Sequence, residues 1–208
     1  MEIIDFLLHV DTYLETIIDK FGVFTYIILF LVIFAETGLV VTPFLPGDSL
    51  LFVIGAFSAN GLLDLWTIYF SLLAAAVMGD AANYAIGRYV GAKLFSSETS
   101  KLFNKKHLEK TQEFYVKHGG KTIIMARFLP IIRTFAPFVA GVGKMHYATF
   151  SFFNVIGGTL WVTTMMFAGY FFGGLPFIKN NFEIAVIAII FISLIPIFLE
   201  FLKHRRER

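Results

Sequence analysis

Glu36, Asp48, Asp80, Arg127 and Arg133 are ionisable residues set in segments that are otherwise apolar. At membrane depth each would cost at least about 2.5–3.5 kcal/mol by insertion scales, so such residues mark a pathway or a partner. Arginine presents a planar fork of donors that matches phosphate oxygens. A carboxylate in a low-dielectric site can carry a proton. Together they suit an anion bound by Arg127 and Arg133, with proton uptake at Glu36 and Asp48. A plainer reading stays open beside it: the acids and arginines neutralise one another and only hold the chain together. The two readings are compatible if the pairs form while the site is empty.

Helix breakers accompany these charges. Glu36 and Asp48 flank Pro43, Pro46 and Gly47, and Arg127 and Arg133 flank Pro130, with Pro137 following. Both runs are expected to break, freeing backbone groups that can line a cavity. Asp80, Asn83, Tyr84 and Gly87 share one helical face, with Arg88 next to it. An interhelical hydrogen-bond cluster is the favoured reading there, and a further proton-carrying carboxylate the sharper one. Gly87–Gly91 and Gly169–Gly173 match the small-xxx-small pattern, which more often means internal packing than dimerisation.

Other chemistry finds little support. The histidines, at positions 9, 107, 118, 146 and 204, lack metal-ligand spacing, and cysteine is absent. No phosphate-binding glycine loop of the P-loop type is present, so direct ATP use is not expected. The chain is read as a non-enzyme with no metal and no cofactor.

The elements that must position the charges follow from composition. Of 208 residues, 57% are apolar, 15% are charged and 26 are phenylalanine. A soluble core of this length cannot hide so much apolar surface, so the expected solvent is a bilayer. A net charge of +2 argues against a nucleic-acid partner.

Residues 1–20 read as an acidic amphipathic helix on the membrane surface or against the bundle, not a signal peptide. Crossings are expected at 21–41, 65–87, 145–178 and 184–199. The apolar run 49–63 is short for a span, at roughly 22 Å of helix. The segment 88–121 and the tail 203–208 are basic, which places both on the cytoplasmic side. Parity then requires 122–143 to enter and leave by one face, and the piece after 41 to dip in from the other. The expected fold is an all-α integral membrane protein with two re-entrant, proline-broken hairpins in an inverted repeat. Its single transport domain spans 21–202, with halves of about 21–87 and 122–202 joined by 88–121.

Three stretches resemble one family. They are Phe34-Ala-Glu-Thr-Gly-Leu-Val-Val-Thr-Pro-Phe-Leu-Pro-Gly-Asp-Ser-Leu-Leu-Phe52, the Gly79-Asp80 motif with Tyr84, Gly87, Arg88 and Gly91, and Ala126-Arg-Phe-Leu-Pro-Ile-Ile-Arg-Thr-Phe-Ala-Pro-Phe-Val-Ala-Gly141. In this order they resemble the bacterial DedA membrane proteins, which carry the SNARE-associated or VTT domain. The resemblance covers roughly residues 20–175. It implies a lipid transporter of the bacterial inner membrane that returns undecaprenyl phosphate across it. It further implies functional acids at Glu36 and Asp48, basic partners at Arg127 and Arg133, and a link to the proton-motive force. Asp80 and Arg88 are auxiliary positions. Movement of a phospholipid such as phosphatidylethanolamine, phospholipid scrambling, proton or small-ion antiport, and an assembly role stand as alternatives.

Overall fold

The computed structural model describes residues 10–39, 47–94, 120–173 and 175. Pro43, Pro46, most of the basic segment 88–121, the expected crossing at 184–199 and the tail 203–208 lie outside these residues. The regular elements among the described residues are all helices, with no strand among them.

α1, Val10–Phe21, is the described part of the amphipathic segment. Leu14 is buried while Glu15, Asp19 and Lys20 are exposed, and the helix packs against α3, Gly47–Ala59. Gly22 ends α1 at a φ of 52°, a left-handed turn that glycine adopts without a Cβ penalty. α2, Phe24–Gly38, follows at once. At 15 residues, or about 22 Å, it is shorter than the crossing expected over 21–41.

α3 begins at Gly47, so this glycine opens a helix, with Asp48 in its first turn. Its core is nearly all buried, and it closes in a Schellman motif. There the Leu62 N–H donates to the Phe57 carbonyl at 3.1 Å and the Gly61 N–H to that of Ser58 at 3.2 Å, with Gly61 at a φ of 76°.

α4, Leu65–Leu94, starts from Asp64, whose Oδ1 accepts the Thr67 N–H at 2.8 Å. The Thr67 side chain, and next its backbone N–H, hold the Asp64 carboxyl below its ordinary value of 3.8. A depressed folded value stabilises the helix start above that ordinary value, and the contribution fades as pH falls through the folded one. Asp64→Ala should therefore lower the thermal midpoint at pH 6. Its deficit against wild type should shrink once the pH drops below 3.8. A deficit independent of pH would remove the capping carboxylate from the account.

α5, Lys121–Ala126, and α6, Pro130–Val142, are separated by a break at 127–129. Pro130 occupies the first turn of α6, where its missing N–H would lack a partner in any case. Pro137 departs from the expected break: it lies inside α6 and the helix runs through it. Proline has no N–H, so Pro137 makes no i→i−4 bond within the helix that carries it. Phe138 beside it packs its backbone against Gly87. α6 also closes in a Schellman motif, with Lys144 at a φ of 54° in the position that Gly61 takes after α3. The Met145 N–H donates to Ala140 and the Lys144 N–H to Gly141, both at 3.0 Å. α7, Tyr147–Phe172, ends before Gly173. Leu65–Val90 of α4 and Tyr147–Phe172 are each 26 residues long and apolar enough to cross a membrane.

The chain forms two compact units. One comprises 1–32, 44–73 and 161–208, the other 33–43 and 74–160. In the first unit, α3 and α7 touch backbone to backbone. A Cβ on Gly55 would overlap the Met166 carbonyl, and one on Gly169 that of Phe52. In the second unit, α4 and α6 do the same: Gly87 faces the Phe138 carbonyl and Gly141 that of Tyr84. Each glycine thus meets the carbonyl three residues before the glycine opposite. Gly173 similarly abuts Ala56, so the small-residue patterns serve internal packing. Gly55→Leu or Gly141→Leu should destabilise by about 1–3 kcal/mol or more, since the added carbons meet backbone that cannot rotate away. Thermal unfolding in detergent checks this. Wild-type midpoints in both variants would mean that the helix pairs are not held this closely.

Candidate functional site: two buried arginine–carboxylate pairs

Breaks in the second unit deliver its arginines to its interior. Arg127 sits where α5 stops, and Arg133 in the first turn of α6. Both are buried, as are Glu36 in the last turn of α2 and Asp80 midway along α4. Arg133 Nη2 donates to Glu36 Oε1 in a buried ion pair. Arg127 Nη2 donates to Asp80 Oδ2 at 2.5 Å. It also reaches Asn154 Oδ1 on α7 and, at 3.4 Å, the Ala76 carbonyl. Pairing of this kind is what makes a buried charge tolerable.

Amides and glycines fix the pairs. Asn154 Nδ2 donates to the Val77 carbonyl at 3.0 Å, which orients the oxygen that Arg127 uses. Gly157 and Gly158 of α7 leave room for the arginine: a Cβ there would stand 3.2 Å from its Cδ and 3.5 Å from its Nη2 respectively. Asn83 Nδ2 donates to the carbonyls of Thr37 at 3.1 Å and Thr134 at 2.7 Å. Those are the residues directly after Glu36 and Arg133, so one amide ties together the two backbones that carry the second pair. Gly38 and Gly79 bring α2 onto α4 at this level: a Cβ on Gly38 would lie 3.3 Å from Gly79 Cα. Around the α5–α6 break lies an apolar cluster of Tyr84, Ile123, Ala126, Ala136, Ala140, Met145 and Phe150.

Asp48 belongs to the first unit. Its Oδ1 accepts the indole N–H of Trp161 at 2.7 Å. Of the two acids expected to serve the arginines, Glu36 therefore meets Arg133, while the acid that meets Arg127 is Asp80. The hydrogen-bond cluster expected on the Asp80 face is present, with Tyr84 donating to the Met145 carbonyl and Arg88 Nη1 donating to the Tyr84 hydroxyl at 3.2 Å. Sequence reasoning missed Asn154, Trp161, Gly157 and Gly158. The available signal was a polar amide and an adjacent glycine pair inside the uncharged run 145–178. Among the described residues no three potential metal ligands converge.

Fold and site define an all-helical membrane protein whose interior holds two arginine–carboxylate pairs at interrupted helices. The chain belongs to the DedA family: residues 45–171 match the VTT domain, and a 52% identical relative is called Protein DedA. That relative, from Escherichia coli (strain K12), aligns over 98% of this chain and 94% of its own length. An uncharacterized membrane protein of Mycobacterium leprae is 44% identical over 79% of this chain and 74% of its own. Inner membrane protein YghB of Escherichia coli is 36% identical over 75% of this chain and 71% of its own. No solved structure matches the chain significantly.

Proposed function

We propose that this protein is a transporter, not an enzyme, that moves undecaprenyl phosphate across the bacterial inner membrane in a proton-linked cycle. The observation that carries the reading is the pair of buried arginines, each held by a carboxylate beside a helix interruption. A lipid phosphate, like the carboxylate it would replace, offers two anionic oxygens that can accept side by side from one guanidinium. Protonation of Glu36 releases Arg133 to the phosphate, and departure of the phosphate restores the pair. Arg127 and Asp80 repeat the arrangement on the other side of the α5–α6 break, and Asp48 supplies a further acid. The basic segment 88–121 and the tail face the cytoplasm by the positive-inside rule.

In this reading the piece between α2 and α4, which contains α3, and the α5–α6 segment are re-entrant and related as inverted repeats. Support comes from their shared plan. A helix stops, a short helix follows and ends in a Schellman motif, and a long apolar helix leaves. The short helix of each half also meets the long helix of the other through the same reciprocal glycine contact. Names of relatives such as Inner membrane protein YghB agree with that membrane.

The test is lipid translocation in proteoliposomes, comparing labelled undecaprenyl phosphate with a labelled phospholipid, with and without a pH gradient. Selective movement of the polyprenyl phosphate that rises with the gradient and needs Arg133 is the expected result. Equal movement of both lipids would make the protein a scramblase. Movement of neither by folded protein would favour ion antiport or an assembly role.

A further inference from the structure

The far end of α4 carries an aromatic and cationic corner that the ion pairs do not use. Tyr84, Ala85, Arg88 and Tyr89 of α4 and Tyr147 of α7 line an open cavity of about 500 Å3. That lies within the range of small-molecule sites. All five residues belong to the second unit.

The corner is built from the inside outward. Tyr84 is buried, stacked on Phe150 with ring centroids 4.4 Å apart. Its hydroxyl proton goes to the Met145 carbonyl, which leaves the oxygen to accept from Arg88 Nη1 at 3.2 Å. One guanidinium donor is thereby fixed; Arg88 is exposed and carries further N–H donors. Among the described residues the ion pairs are those of Arg127 and Arg133, and no carboxylate pairs with Arg88. The rest of the wall is mostly ring face: Tyr89 is 73% exposed and Tyr147 51% exposed.

Position along the helices identifies the occupant. Arg88 lies in the last turn of the apolar run Leu65–Val90, and Tyr147 is the first residue of the run Tyr147–Phe172. Tyrosine and arginine at the ends of spans sit at headgroup depth. A phosphate at that depth comes attached to acyl chains, and the tyrosine faces give those chains a wall. A soluble anion would use the arginine and leave the wall uncovered.

We infer that the cavity of Tyr84, Arg88, Tyr89 and Tyr147 binds one resident phospholipid, its phosphate on Arg88 and its chains along the tyrosine rings. None of the four residues of the ion pairs, Glu36, Asp80, Arg127 and Arg133, lines this cavity. Lipid residence there is a matter of binding alone, so a failure of the transport reading leaves it standing.

The experiment uses the full chain in detergent, freed of lipid, titrated with phosphatidylglycerol and read by native mass spectrometry. One lipid should bind, with an apparent Kd that rises about ten-fold or more in Arg88→Gln, the loss of one charge-assisted contact. Tyr89→Ser, at an exposed position, should also weaken binding. Diacylglycerol with the same chains and no phosphate should bind about ten-fold more weakly than phosphatidylglycerol. Unchanged Kd in both variants, or equal binding of diacylglycerol, would overturn the proposal. Displacement of the lipid by millimolar inorganic phosphate would overturn it in favour of a soluble anion.

Discussion

Arg127→Ala is expected to destabilise the protein by about 3–5 kcal/mol, the usual consequence of leaving one buried charge without its partner. Against a total stability of about 5–15 kcal/mol, this is enough to deplete the protein from the membrane. Three losses act together. The Asp80 carboxylate keeps its burial and loses its cation. Asn154 Oδ1 loses its donor. The space over Gly157 and Gly158, which the arginine side chain fills, becomes a cavity. Asp80→Leu combined with Arg127→Met removes both charges and keeps the volume, so accumulation should recover most of the way while transport stays absent. Fluorescence of a tagged protein through size exclusion reads the first quantity, and the proteoliposome assay the second. Transport by the doubly neutral variant would show that this pair does nothing beyond holding helices.

At the other pair the informative change is Arg133→Lys. Lysine keeps the positive charge that Glu36 requires, so the variant should accumulate nearly as well as wild type. It loses the fork that grips two phosphate oxygens at once, and transport should fall by about ten-fold or more. Arg133→Ala is the contrasting variant. It strands the Glu36 carboxylate and should cost about 3–5 kcal/mol, which the double variant Glu36→Gln with Arg133→Gln should largely restore. Full transport in Arg133→Lys would count against recognition of phosphate by this side chain. Full transport in the neutral double variant would reduce the pair to a structural clasp.

These expectations could be framed from sequence only in part. The apolar runs that became α4 and α7 were legible, because 26 uncharged or nearly uncharged residues leave few alternatives. The interruption before α6 was legible too, since Pro130 cannot continue a helix from residue 129. Pro137 was not: whether a proline breaks a helix or is carried inside it depends on what packs around it, and here the Phe138 backbone rests on Gly87. The charges in apolar runs were visible as anomalies, and their partners were not. Asp80 and Asp48 are both acids in apolar surroundings, and nothing local says that the first meets Arg127 while the second meets Trp161. Asn154 and the two glycines after it stay silent for the same reason, because their role is set by a side chain that arrives from another helix.

The reciprocal glycine contacts bear on how the chain can be divided. α3 lies in the first half of the sequence and α7 in the second, yet the two share a backbone seam, as do α4 and α6. Neither half owns a complete partner for its own short helix. A chain severed between Leu94 and Gly120 therefore yields two fragments that each expose an unsatisfied seam, and which should accumulate only when made together.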